Sequence, residues 1–186
     1  MSDRMPPLAH AQLTKEQIEA ARVFALSRGT PVFGPFVPLL RSPELMLRFQ
    51  KVGEHCRYHS AIGLRLSEFI ILLVARQFSQ NVEWAIHAPI AAEAGVSVDA
   101  IQALLDGRHP VDMSPDETII YGAVHELWAT GRWSDALYAN ILARFGEAGI
   151  IDLISTVGYY STIAMVMNVA RTEAPCGYKM PALNIE

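Results

Sequence analysis

Signals for helix starts and stops constrain the fold of this chain more than any other sequence feature. Thr14 is followed three residues later by Gln17, and Ser114 is followed by Glu117. Both pairs match the capping box, in which the two residues satisfy each other's free backbone N–H groups at a helix N-terminus. Gly29 stands where the first of these helices would end. The spacing predicts an N-terminal helix over 14–28.

Apolar periodicity fills the rest of the chain with helices. The segment "LSEFIILLVARQF" is apolar nearly all round, which predicts a helix buried on most sides. Further helices are expected from Ser42–Pro43, over 81–94 with Gly95 as its stop, and after Ser97. The stretches "SDALYANILARF" and "GEAGIIDLISTVGYYSTIAMVMNVAR" predict two more. No alternating strand pattern with turn residues occurs. The fold class is therefore all-α, with about seven or eight helices.

The segments between helices are expected to be irregular. Residues 30–40 contain three prolines and a glycine, which favours an extended connector. The tail 171–186 shows no period and is expected to be irregular. Gly158 precedes two tyrosines and is expected to allow close packing of helices. With 186 residues, the chain is most simply one domain over 1–186.

Composition and charge narrow the function classes. Hydrophobic residues make up 51% of the chain and charged residues 18%, which favours a large core or a homo-oligomer. The net charge is −4 and lysines and arginines are not clustered, so nucleic acid is not expected as a partner. The longest apolar run, "FIILLVA", is shorter than the roughly 20 residues of a membrane span. No secretion signal opens the chain, and we expect a cytoplasmic protein without a membrane partner.

The strongest candidate site lies at the start of "NVEWAIHAPIAAEAG". Residues three or four apart share a helix face, so Gln80, Glu83, Trp84 and His87 fall in one stripe. Glu68 lies on the preceding helix, which a short turn joins to this one. If the two helices pack side by side, Glu68 can meet His87 and fix its tautomer. Spacing alone leaves a solvated Glu–His pair as the simpler interpretation.

Three stretches resemble one known family. "GPFVPLLRSPEL", "LSEFIILLVARQFSQNVEWAIHAPIAAEAGV" and "FGEAGIIDLISTVGYYSTIAMVMNVA" resemble the carboxymuconolactone decarboxylase family, which is related to the alkylhydroperoxidase D-like proteins. The likeness covers about residues 34–170, leaving the N-terminal helix and the tail outside it. The resemblance implies an alkylhydroperoxidase D-like helical bundle that forms a trimer or hexamer.

The chain departs from the redox branch of that superfamily. In that branch a Cys-x-x-Cys precedes the histidine, and its cysteine positions fall here on Gln80 and Glu83. Peroxide reduction by that route needs a thiolate and a resolving thiol. Cys56 and Cys176 lie outside the motif and show no metal-ligand spacing. A peroxidase or antioxidant role is thus disfavoured, and a non-catalytic binding protein of the same fold stays an alternative.

The resemblance then implies a cofactor-free lyase or isomerase that acts on a small acidic or lactone ring. In this interpretation His87 is the catalytic acid/base, Glu83 its partner or a second proton carrier, and Glu68 the group that orients it. Gln80 and Trp84 would bind substrate. No metal is expected at these residues.

Other polar groups are weaker candidates. Tyr121, His125 and Trp128 recur at helical spacing, and a mixed core or interface is favoured over a second pocket wall. His55 and His59 lie one turn apart but have no third ligand at matching spacing. The cation for a substrate carboxylate is left open among three arginines: Arg48, Arg57 and Arg65.

Overall fold

The structure, a computed structural model, describes residues 2–182 and is all-helical. Within that range there are eight α-helices and no β-strand, which confirms the predicted fold class. The helices are α1 Lys15–Arg28, α2 Phe36–Leu39, α3 Pro43–Tyr58, α4 Gly63–Gln77, α5 Asn81–Glu93, α6 Val98–Leu105, α7 Pro115–Thr130 and α8 Asp135–Ala170. Short 3₁₀ turns cover His10–Gln12 and Pro175–Gly177.

The local signals act as the sequence predicts at most helix starts. Thr14 and Ser114 each accept a hydrogen bond from the backbone N–H three residues on, and the reciprocal Gln17 and Glu117 contacts complete both capping boxes. Ser97 caps α6 in the same way. Ser42 occupies the N-cap position of α3, but its side chain makes no capping hydrogen bond.

The connector 30–40 differs from the extended segment that its prolines predict. Residues Phe36–Leu39 form the one-turn helix α2, with Pro35 at its N-cap. Pro38 is tolerated there because the N–H groups of a first helical turn have no intrahelical acceptor. Burial of Phe36 and Leu39 in the core favours this turn over an extended chain.

Helix α4 lies at the centre of the bundle. Every residue from 66 to 76 is buried, as its apolar composition predicts. It packs chiefly against α5 and α8, and α7 and α3 cover its other sides. The turn 78–80 returns the chain so that α5 lies beside α4. This pairing brings polar groups from both helices into the interior.

Helix α8 consists of two helical pieces. Gly146 has φ 69° and ψ −178°, so the helix breaks between the two segments that the sequence separates. By length and composition α8 is apolar enough to cross a membrane, but 56% of its most apolar stretch is buried inside the protein. A helix buried in a protein core meets the same criteria of length and composition, so α8 is only weak evidence for a membrane span.

Close helix packing depends on a different glycine from the one predicted. Gly158 is exposed, and a Cβ added there would meet nothing within 4 Å. A Cβ on Gly53 of α3 would instead lie 2.4 Å from the hydroxyl of Tyr159. Gly53 thus lets α8 place this tyrosine against the backbone of α3.

The described tail is irregular apart from the 3₁₀ turn. Its backbone at Met180 donates to the Asn81 side chain at 2.7 Å, and its Pro181 carbonyl accepts from Arg76 at 3.0 Å. These contacts hold it across the junction of α4 and α5. The prediction of an irregular tail extends to 183–186, which lie outside the described residues.

Candidate functional site

Glu68 and His87 meet in the interior, as the helix pairing predicts. His87 Nδ1 lies 2.6 Å from Glu68 Oε2, and both side chains are buried. The other carboxylate oxygen of Glu68 accepts from Arg57 Nε of α3 at 3.0 Å. Glu68 therefore has both oxygens engaged, and it fixes the ring of His87 relative to α3 and α4.

Glu83 lies on the other side of the imidazole. Its Oε2 is 3.3 Å from His87 Nε2, an ion-pair distance without the alignment of a hydrogen bond. Glu83 is buried, and this oxygen has no hydrogen-bond partner among the described residues. A buried carboxylate oxygen without a hydrogen-bond donor is energetically costly. Glu83 Oε2 is therefore an available hydrogen-bond acceptor next to His87 Nε2.

The two carboxylates decide the charge of His87. Burial by itself lowers the pKa of an imidazole, but the hydrogen bond to Glu68 and the nearness of Glu83 outweigh it and raise the pKa of His87 to about 9. At neutral pH the ring is an imidazolium that donates from Nδ1 to Glu68 and carries a second proton on Nε2, 3.3 Å from Glu83. His87 is then poised as a proton donor.

A cavity of about 100 Å³ opens on this group. Its walls carry two cations, since Arg28 from the end of α1 joins Arg57 there. Arg28 donates to the Gln50 carbonyl at 3.0 Å, while its buried Nε has no partner in residues 2–182. The remaining polar lining consists of Tyr159 and Tyr160 of α8.

The tyrosines are neutral donors beside the imidazolium. The Tyr160 ring packs edge-on against His87 with centroids 5.4 Å apart. Burial raises the pKa of both Tyr159 and Tyr160 above the usual phenol value. Both hydroxyls therefore stay protonated at neutral pH. Apolar side chains complete the cavity: Phe33, Pro35, Phe36, Ile86 and Ile163.

Two predicted binding residues lie elsewhere. Gln80 is the N-cap of α5, where its oxygen accepts from Val82 N at 2.7 Å and its nitrogen donates to Asn168 at 2.8 Å. Trp84 packs in the hydrophobic core. Neither residue is among those that line the cavity. Helical spacing places Gln80 and Trp84 close to Glu83 along the chain. The face of α5 that lines the cavity carries Glu83, Ile86 and His87 instead.

Arg57 is the one of the three candidate arginines that lines this cavity. Arg57 is at the site, Arg65 pairs with Glu117 at 2.7 Å, and Arg48 pairs with Glu44 at 2.7 Å on the surface. Sequence reasoning missed Arg28 because it treated the N-terminal helix as an addition to the family-like core. Arg28 is the last residue of α1, where a cation is ordinarily favourable, so its position in the sequence gives no signal of a site.

The histidine and cysteine candidates outside the site are accounted for. His55 Nε2 lies 2.9 Å from Asp152 Oδ1 of α8, and the rings of His55 and His59 are 6.5 Å apart. In residues 2–182 no group of three or more metal-ligating side chains occurs. Cys56 is buried and Cys176 is exposed, and neither lines the cavity among the described residues.

Comparison of the chain with models of known protein families, with curated proteins and with solved structures gives no match. The resemblance to carboxymuconolactone decarboxylases stays a prediction from the motifs.

Proposed function

We propose that the chain is a carboxymuconolactone decarboxylase-like enzyme that uses acid/base chemistry, without a cofactor, on a small carboxylated lactone or related ring. The observation that carries this proposal is the buried Glu68–His87–Glu83 group at a cavity that also contains a cation. A buried imidazolium with a fixed orientation is suited to deliver a proton. The Glu68–His87–Glu83 group contains no thiol.

The proposed reaction breaks the bond between a ring carbon and its carboxylate. The electron pair passes through the conjugated double bond to the lactone carbonyl, and CO₂ leaves. The Tyr159 and Tyr160 hydroxyls are available to donate to the enolate oxygen that forms. His87 then gives its Nε2 proton to carbon and becomes neutral. A proton from bulk solvent, passed through the Glu83 carboxylate to Nε2, restores the imidazolium.

Arg28 is suited to hold a carboxylate that the substrate keeps. Its Nε has no hydrogen-bond acceptor within residues 2–182, and a guanidinium binds a carboxylate with directed hydrogen bonds. A cation on the departing carboxylate would instead stabilise the ground state and slow its loss. The small cavity favours a single ring over a larger substrate.

An assay with 4-carboxymuconolactone, followed by its absorbance, tests the proposal. We expect turnover by the wild-type chain and a loss of about 10²–10⁴-fold in His87→Gln, because general acid catalysis contributes that much. Arg28→Gln should mainly raise KM. Arg48→Gln is the control, since Arg48 lies on the surface. Turnover by His87→Gln at the wild-type rate would refute the role of this residue.

We also propose a homo-oligomer, the trimer or hexamer that the resemblance implies. An apolar stripe on α8 supports it: Ile151, Ile154, Met165 and Val169 are 62%, 40%, 47% and 58% exposed. Their spacing places them on one face of the helix. Light scattering of the purified protein measures the oligomeric state directly.

A further inference from the structure

A second cavity, of about 140 Å³, lies near the C-terminal end of α4. One wall is aromatic and comes from α7. The rings of Tyr121 and His125 stack with centroids 4.0 Å apart, and Trp128 packs edge-on against His125 at 5.4 Å. Leu104 of α6 adds apolar surface, and Arg76 supplies a charge. The cavity thus combines flat apolar walls with one buried cation.

Arg76 is a buried guanidinium that makes no salt bridge within residues 2–182, and the nearby Asp106 acts on it only at longer range. The residue is 6% exposed. Its Nη1 donates to the Pro181 carbonyl at 3.0 Å, whereas Nε and Nη2 are buried and have no hydrogen-bond partner in residues 2–182. Burying a charged group without partners is expensive, and guanidinium stays charged even so.

The two unpartnered nitrogens are the pair that arginine uses to grip a carboxylate. In this chain Arg144 donates from Nε and Nη2 to the two oxygens of Asp116 at 2.6 and 2.8 Å. Arg22 binds Glu19 through the same two atoms, at 2.9 and 2.6 Å. Arg76 has this paired edge without an acceptor, so it is complementary to one carboxylate.

The charged groups around this cavity have a net charge that one anion would neutralise. Arg108 also lines it, but its guanidinium donates to Asp106 at 2.8 Å. His125 Nδ1 lies 2.9 Å from the Tyr121 carbonyl, so this contact does not use Nε2, the other ring nitrogen. The two arginines and the single aspartate sum to one positive charge, and His125 adds to it only when protonated.

We propose that this cavity binds a small planar carboxylate, held by Nε and Nη2 of Arg76 and stacked against the rings of α7. The site shares no lining residue with the His87 cavity. Glu68 and Arg76 are eight residues apart on α4, a rise of about 12 Å. The proposal is therefore independent of the reaction assigned to His87.

Titration with benzoate, followed by calorimetry and by the NMR signal of the Trp128 indole N–H, tests the site. We expect saturable binding with a Kd of about 1 mM or tighter and a shift of the Trp128 signal. Benzamide, which has the same shape without the charge, should bind at least about tenfold more weakly because it cannot pair with guanidinium. His87→Gln should bind benzoate as wild type does.

Three variants separate the guanidinium edge from general effects. Arg76→Gln should weaken benzoate binding at least about tenfold, and Arg76→Lys should also weaken it because lysine keeps the charge but not the paired nitrogens. Arg22→Gln, the same change at an exposed guanidinium, should leave the affinity unchanged. Absence of saturable binding by wild type, or equal affinity in folded Arg76→Gln or Arg76→Lys, would overturn the proposal.

Discussion

A buried cation lies near each end of α4, and the two cations differ in how the protein compensates their charge. Near its N-terminal end, the His87 imidazolium lies between Glu68 and Glu83, and Arg57 shares the first of these carboxylates. Near its C-terminal end, Arg76 makes no salt bridge within residues 2–182, and Asp106 acts on it only at longer range. Both regions are walled by apolar and aromatic side chains, so the solvent compensates neither charge well.

The protein itself supplies the counter-charge of His87, whereas we propose that a ligand supplies the counter-charge of Arg76. Glu68 supplies the counter-charge of His87 and holds it in one orientation, which is what proton transfer at a fixed position requires. Arg76 has its position fixed by the tail but keeps its paired nitrogens unfilled. Three measurements test this contrast: the stability of Glu68→Ala, the pH dependence of stability through His87, and the stability of Arg76→Met.

Glu68→Ala should destabilise the protein most. It removes the acceptor of both Arg57 and His87 and leaves two cations facing each other in the interior. Breaking a buried ion pair in this way costs about 3–5 kcal/mol. Urea unfolding of the variant measures the loss.

Glu44→Ala is the matched control for this change. Glu44 pairs with Arg48 at 2.7 Å on the exposed face of α3, and such surface pairs contribute roughly 0–1 kcal/mol. Equal losses of stability in Glu68→Ala and Glu44→Ala would mean that the buried group is not held by its charges.

The stability should also depend on pH through His87. Its pKa in the folded protein, about 9, lies above the ordinary 6.5, so folding favours the protonated ring. This contribution is fully present below pH 6.5 and is lost as the pH rises through about 9. The difference corresponds to about 3 kcal/mol.

Comparison with His87→Gln isolates this contribution from other groups that titrate at high pH. The difference in unfolding free energy between wild type and His87→Gln should shrink between pH 6.5 and 9.5. A difference that is constant over that range would show that the ring carries no proton in the native state. NMR titration of the His87 ring carbons provides an independent measurement of its pKa.

Local chemistry in the sequence predicts most of the helices and makes the Glu68–His87 contact geometrically possible. Capping boxes depend on residues three positions apart, and the Glu68–His87 contact depends on two helices joined by a short turn. Both are short-range constraints. The apolar run of α4 likewise determines its central position, because no face of it suits water.

The rest of the site depends on which faces meet across long sequence distances. Arg28, Tyr159 and Tyr160 come from α1 and α8, and no spacing links them to His87. Helical periodicity grouped Gln80 and Trp84 with Glu83, yet in the fold Gln80 donates to Asn168 and Trp84 lies in the hydrophobic core. Periodicity gives the face of a helix but not the neighbour that covers it.

Arg76→Met should have the smallest effect on stability, and in the opposite direction. Methionine fills a similar volume without an unpaired charge, and replacing poorly compensated buried charge by an apolar side chain is often neutral or stabilising. The hydrogen bond to the Pro181 carbonyl is lost, which offsets part of the gain. We expect the unfolding free energy to stay the same or rise by about 1 kcal/mol, measured in urea without any added ligand.

Arg57→Met should destabilise the protein, because it removes the cation that pairs with Glu68. A large loss in Arg76→Met would mean that the protein itself completes this cation, and the contrast between the two ends of α4 would fail.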